Sequence, residues 1–119
     1  MTTIQDLAAR VFVARDVVHR EHWKTSSFSQ HMALGAFYDD VIESVDEIVE
    51  CYQGEFGLIG DFSVETPSVF QITPWLQSEM AWIQENVVTI ANGSASIRNL
   101  LDGLVAIYQR TIYKLTFLA

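Results

Sequence analysis

Apolar residues recur at the 3.6-residue spacing of an amphipathic helix in four stretches of the chain. Ser26 or Ser27 suits the cap at the start of the second stretch, and Gly54 suits the residue that ends it. Pro74 lies in the first turn of the third stretch, where its missing N–H is not needed. A chain of 119 residues is long enough for one hydrophobic core, so residues 1–119 are predicted to form a single all-α domain. The four stretches cover about 3–24, 27–53, 74–92 and 96–117.

The lengths of the three links determine how the helices are arranged. The links near Thr25 and Gly93 are short, which predicts two antiparallel helical hairpins. The middle link, over about 54–73, can reach roughly 65 Å when extended, whereas the second helix is only about 40 Å long. This link can therefore run the length of a bundle, with room for a short helix around 68–70. The pattern favours a ferritin-like four-helix bundle, with two antiparallel hairpins joined by a long crossover, over an up-down bundle with a long loop.

Charge and composition limit the classes of partner. The net charge is −8 and there are only two lysines, so DNA binding is not expected, because neutralising phosphates supplies most of the affinity of a DNA-binding protein. The single cysteine excludes an intrachain disulfide. No apolar run approaches the roughly 18 residues that span a membrane, and residues 1–15 lack the apolar core of a signal peptide. We therefore expect a cytoplasmic protein without a membrane partner.

The three histidines flank the first link. His19 and His22 are one helical turn apart, and His31 lies early in the second helix. If the turn is centred near Thr25, His19 and His31 are each six residues from its middle and are predicted to lie level across the hairpin. Two facing imidazoles suit a transition metal such as ferrous iron or zinc. His22 is interpreted as a hydrogen-bonded packing residue.

Two carboxylates further along the second helix are also candidate metal ligands. Asp46 and Glu50 are spaced i, i+4 and share one helix face, as iron ligands in helical bundles do. A solvated face or an interface salt bridge remains the alternative. His31 and Asp46 are 15 residues apart, which is about 22 Å along one helix. A single metal ion can contact both only if two chains pack antiparallel about a two-fold axis, so the spacing predicts an interface site.

Three segments together resemble the signature of the Dps mini-ferritins. These mini-ferritins have H-x-x-H-W, a second ligand histidine twelve residues after the first, and D-x-x-x-E fifteen residues after that. The last helix of this chain, with NLLD and YKLTFL, is also similar to the last helix of that family. The likeness covers both predicted hairpins and therefore most of the chain. The matching segments are HREHW at 19–23, FSQH at 28–31 and DEIVE at 46–50.

The resemblance implies a hollow twelve-subunit cage with iron-oxidising sites between two-fold-related subunits. One subunit would supply His19 and His31 as ligands, and the other would supply Asp46 and Glu50. Trp23 matches a tryptophan beside the site. Such sites oxidise Fe(II), usually with hydrogen peroxide, and store the ferric mineral inside the cage. A homo-oligomer with at least a two-fold dimer is therefore expected.

The chain departs from the Dps pattern at one ligand position. Gly35 stands four residues after His31, where the mini-ferritins usually have an aspartate, and Asp39 and Asp40 follow one turn later. The chain also lacks a lysine-rich tail. Two hypotheses therefore remain open. The first is an iron-oxidising and iron-storing mini-ferritin. The second is a non-catalytic helical oligomer with a structural or interaction role.

Overall fold

The computed structural model describes residues 3–118. It consists of four helices, and those residues contain no strand. The prediction of an all-α fold with four helices is confirmed. No helix in the described range combines the length and the apolar character that crossing a membrane requires. The helices are α1 (Ile4–Lys24), α2 (Phe28–Phe56), α3 (Ile72–Ala91) and α4 (Ala95–Phe117).

Side-chain caps fix the start of three helices. Thr3 forms a capping box with Asp6 at the start of α1. Ser27, as predicted, caps α2, and Ser94 caps α4 by accepting a hydrogen bond from a backbone N–H in the first turn. Helix α3 begins at Ile72, two residues before Pro74, after a Gln71 that makes no capping hydrogen bond through its side chain. Local chemistry therefore sets most of the helix starts.

Helix α2 continues past its predicted end. Gly54 lies inside the helix, and the chain leaves it at Gly57, whose φ is +99°. A glycine inside a helix costs only about 1 kcal/mol relative to alanine, so Gly54 does not break it. The rings of Tyr52 and Phe56 pack at 4.9 Å and extend the apolar contacts through the last turn. The prediction that Gly54 ends the helix is therefore wrong.

The four helices form a bundle. Helix α1 packs against α2 and α3, and α4 packs against the same two helices. The rings of Phe37 and Tyr108 meet at 4.9 Å, and nearer the start of α2 the Ser29 hydroxyl donates to the carbonyl of Leu118 at 3.4 Å. Helices α2 and α4 are therefore antiparallel. The fully buried side chains include Leu7, Leu34, Phe37, Ile48, Leu76, Ile83, Leu101, Leu104 and Tyr108.

The link between α2 and α3 lies against α1. Near the start of α1, the Gln5 side chain donates a hydrogen bond to the carbonyl of Ile59. About two turns further on, the rings of Phe12 and Phe62 are 5.6 Å apart. Near the end of α1, Lys24 and residues 67–69 line one surface pocket. No helix forms around 68–70, where the link has room for one.

A charged and aromatic cluster joins three helices at the edge of the core. Arg10 of α1 forms an ion pair with Glu79 of α3 at 2.9 Å and lies over the ring of Trp82 at 4.2 Å. Tyr108 of α4 is buried next to this pair. Burial raises the pKa of the Tyr108 phenol well above its usual value. The negative charge of Glu79 raises it further, and Arg10 partly lowers it.

Tyr108→Phe is expected to reduce the loss of stability at high pH. The phenol ionises with a pKa of about 10 in the unfolded chain, whereas it stays neutral in the folded protein. Its contribution to the free energy of unfolding is therefore fully present below pH 10 and decreases as the pH rises above 10. The loss approaches about 1.4 kcal/mol per pH unit, which urea unfolding on either side of pH 10 measures. The exposed Tyr113→Phe is the control. Equal high-pH losses in both variants would contradict the expectation.

Candidate metal centre

The rings of His22 and His31 stack across the α1–α2 hairpin. Their centroids are 3.6 Å apart and their planes differ by 16°. The link between the helices is the three residues 25–27, so its middle is Ser26. His22 precedes that residue by four positions and His31 follows it by five, which places the two residues level. The short link thus determines which histidines meet.

Each histidine of this pair also binds the backbone of the other. The Nδ1 of His22 lies 2.6 Å from the carbonyl oxygen of His31, and the Nδ1 of His31 lies 2.8 Å from the carbonyl oxygen of His22. Because a carbonyl oxygen only accepts, each Nδ1 carries the proton and donates it. In the neutral form of each imidazole, the lone pair is therefore on Nε2. Metal-binding histidines are commonly held this way, with one ring nitrogen donating to a carbonyl and the other free for the metal.

Gly35 provides the space for the His22 ring. A Cβ atom at position 35 would lie 3.0 Å from Cε1 and 3.3 Å from Nδ1 of His22. The ring of His22 is fixed by its stacking and by its hydrogen bond, so it has little freedom to withdraw. Position 35, where the mini-ferritin pattern has an aspartate, is therefore in contact with the His22 ring in this chain.

His19 belongs to the same cluster but faces a different partner. Its ring stacks on Tyr38 at 4.1 Å, with the planes 13° apart, and lies 4.6 Å from the ring of Trp23. The predicted register, with His19 level with His31, is therefore wrong, because His22 occupies that place. The prediction counted from Thr25, whereas the middle of the link is Ser26. Nothing in the sequence pattern pointed to Tyr38.

The two carboxylates lie apart from the histidines. Asp46 and Glu50 are both exposed on α2, and Asp46 is about 22 Å along the helix from His31. Within residues 3–118, no group of three or more histidine, cysteine or acidic side chains is close enough to hold a metal ion. One chain therefore presents two separate half-sites, which we call the histidine half-site (His19, His22 and His31) and the acidic half-site (Asp46 and Glu50).

The donor atoms of both half-sites fit a divalent transition metal. Neutral imidazole nitrogens and carboxylate oxygens are ligands of ferrous iron and of zinc. The Nδ1 hydrogen bond of His31 fixes the direction of its Nε2, and the carboxylates of Asp46 and Glu50 are exposed. Asp39 and Asp40, one turn beyond Gly35, are exposed as well.

One comparison with known proteins gives a match. The model of a family of unknown function (DUF5856) matches residues 22–115, which include His22, His31 and the acidic half-site but not His19. No curated protein and no solved structure matches the chain.

Alanine at position 35 is expected to stabilise the protein less than alanine at a comparable glycine. Gly103 lies within α4 and a Cβ there would meet nothing within 4 Å, so Gly103→Ala should raise the free energy of unfolding by about 0.5–1 kcal/mol. Gly35→Ala should gain less or destabilise, because its Cβ presses on the His22 ring. Urea unfolding measures both changes.

The His22→Ala background provides the control. With the imidazole removed, Gly35→Ala should recover the gain that Gly103→Ala shows, as a positive coupling in a double-mutant cycle. If Gly35→Ala stabilises the wild-type chain as much as Gly103→Ala does, then the His22 ring does not lie on Gly35 in solution.

Proposed function

The chain belongs to the DUF5856 family, whose function is unknown, and we propose that it is an iron-binding, ferritin-like protein of the Dps type. It would bind Fe(II) between two copies, oxidise it and hold the ferric product. We propose a homo-oligomer in the cytoplasm, with a two-fold dimer as the smallest unit and the twelve-subunit cage as the full assembly. The hydrogen bond from Nδ1 of His31 to the carbonyl of His22 carries this proposal, because it fixes the His31 ring at a half-exposed site and leaves Nε2 as the ring nitrogen available to a metal ion.

For the fold, we propose that residues 57–71 are the crossover of a ferritin-like bundle. Support comes from the contacts of this link, which lie near the start of α1 at Gln5 and near its end at Lys24. Further support comes from the pairing of neighbours, in which α1 and α4 each pack against α2 and α3. An up-down bundle would instead place α2 next to α3.

For the site, we propose His19 and His31 from one copy and Asp46 and Glu50 from the other as iron ligands. The distance of about 22 Å between His31 and Asp46 within one chain requires two copies. Charge also favours this pairing. The segment that contains His22 and His31 has no acidic residue between Glu21 and Asp39, whereas the acidic half-site lies in a strongly acidic part of α2. Antiparallel packing would bring the histidines of each copy to the carboxylates of the other.

In the proposed reaction, Fe(II) is the substrate and hydrogen peroxide is the oxidant. Two Fe(II) ions give one electron each to hydrogen peroxide, its O–O bond breaks, and two Fe(III) ions and two hydroxide ions form. The imidazoles and carboxylates hold Fe(II) while leaving positions open for the oxidant. The carboxylates of Asp46 and Glu50 are hard, anionic ligands, so they bind the more highly charged product better than the substrate and favour oxidation.

Iron oxidation is expected to require both half-sites. Fe(II) is added without oxygen, peroxide follows, and near-ultraviolet absorbance records the ferric product. His31→Ala and Asp46→Ala should each lower the initial rate about tenfold or more, as loss of a ligand does. Glu47→Ala, which removes an equally exposed carboxylate from the neighbouring position, is the matched control and should keep the rate. Full activity in either ligand variant would contradict the site.

Mixing the two inactive variants tests whether the site lies between copies. A dimer of one His31→Ala chain and one Asp46→Ala chain keeps one intact site, formed by the His31 of the second chain and the Asp46 of the first. Random pairing after refolding together should therefore restore about a quarter of the wild-type rate. A mixture that stays as inactive as its components would place the ligands within one chain or exclude the site.

A second candidate function is a non-catalytic helical oligomer. The observation that favours it is the His22 ring on Gly35, because this ring occupies the space where a further carboxylate would stand. Under this hypothesis the chain forms an oligomer by light scattering, but peroxide produces no more ferric product than it does from free Fe(II). The iron experiment above therefore separates the two functions.

A further inference from the structure

Exposed apolar side chains are concentrated at one end of the bundle. Seven of the twelve large apolar side chains that are exposed among the described residues lie where α1 and α4 end and where α2 and α3 begin. The pocket shared by Lys24 and residues 67–69, and the hydrogen bond from Ser29 to the carbonyl of Leu118, bring these segments together. Trp23 lies against His19 of the histidine half-site. We call the other six the apolar end: Phe28, Met32, Phe70, Tyr113, Phe117 and Leu118.

The same end of the molecule is basic. Residues 19–38, 67–78 and 110–118 contain four basic side chains and one acidic one, whereas the rest of the chain contains three basic and fourteen acidic side chains. The four are Arg20, Lys24, Arg110 and Lys114, and all are exposed. Arg20 forms an ion pair with Asp16, and Arg110 lines a surface pocket with the acidic side of α2, so Lys24 and Lys114 carry the positive charge of this end. The net charge of −8 therefore hides an uneven distribution of charge along the bundle.

Most of the acidic residues are distant from the exposed lysines of the apolar end. Asp39, the first acidic residue of α2, is eleven residues beyond Phe28, or about 16 Å along the helix. Exposed charges are largely screened beyond the Debye length, which is about 8 Å at physiological salt. A negatively charged surface that touches the apolar end therefore meets its basic side chains and little of the acidic half.

We propose that the apolar end docks on an anionic lipid surface. Exposed aromatic rings beside lysine and arginine are the combination that lies in a membrane interface, with the rings among the acyl chains and the cations at the headgroups. The exposure of Phe70 is 98% and that of Phe117 is 74%, so both rings are free to insert without unfolding any element. The sequence prediction of no membrane partner considered only segments long enough to span a bilayer.

Phe28 and Met32 share the α2 face of the dimer proposed above, but a second copy of the chain fits Phe70 and Phe117 less well. Two copies that meet through the same end bring two basic surfaces together. The acidic half-site of another copy faces the histidine half-site in that dimer, so it is not available to cover Phe70 and Phe117. A lipid surface provides negative charge and hydrocarbon together.

Cosedimentation of the full chain with vesicles tests the proposal. Binding is expected to vesicles of phosphatidylcholine mixed with phosphatidylglycerol and not to vesicles of phosphatidylcholine alone. Phe70→Ser and Phe117→Ser should each lower the partition coefficient about tenfold, since each removes one buried ring. Lys24→Glu should lower it at least about fivefold and should make the remaining binding less sensitive to salt.

Leu58→Ser and Arg98→Glu are the matched controls. Leu58 is 89% exposed in the same link as Phe70 but lies at the opposite end of the bundle, next to Ile59 and Gln5. Both controls should leave binding unchanged. Equal binding to both kinds of vesicle would overturn the proposal, as would the absence of binding. A fall in oligomer mass by light scattering in Phe70→Ser or Phe117→Ser, with no vesicle binding by the wild type, would assign the apolar end to a second copy instead.

Discussion

The three-residue link between α1 and α2 is the constraint on which the candidate site depends. Its conformation is fixed at both sides, because the Thr25 hydroxyl donates to the Gln30 side chain at 2.8 Å and Ser27 caps α2. With the link fixed, the last turn of α1 and the first turns of α2 have only one register. His22 then lies level with His31, and each imidazole reaches the carbonyl of the other. This register also explains why a glycine suits position 35, because a larger residue there would press on the His22 ring.

Most of the helical architecture could be predicted from the sequence because its signals are local. Apolar periodicity and capping residues gave four helices whose starts lie within about two residues of the observed ones. The end of α2 was missed because Gly54 and Gly57 are equally good local signals, and packing of Phe56 on Tyr52 favours the later one. The absence of a helix around 68–70 depends on contacts with α1 that no local signal records.

The site was harder to predict than the fold because it needs an accuracy of one residue. Helix boundaries inferred from sequence are uncertain by one or two residues, which matters little for a helix of 21 residues. In a hairpin, however, a shift of the turn centre from Thr25 to Ser26 changes which histidine of α1 meets His31. The candidate ligands His19, His31, Asp46 and Glu50 could be named from type and spacing. The pairing of His22 with His31, and the role of Gly35, required coordinates.

The two proposals make different demands on the same end of the molecule. If His31 meets Asp46 of a second copy, the two-fold axis passes α2 midway between these residues, near Tyr38 and Asp39. Phe28 and Met32 share the α2 face of Asp46 and would be covered in that dimer, with Phe28 opposite position 49 of the second copy.

Phe70 and Phe117 belong to other elements. Phe70 lies in the link that borders α1 on the side of Val17 and Lys24, and Phe117 lies on the last turn of α4. A two-fold contact along the exposed face of α2 does not require either ring. Iron binding through that face and lipid binding through Phe70 and Phe117 are therefore physically compatible in one assembly. A substitution of Phe70 or Phe117 tests lipid binding without disturbing the iron site.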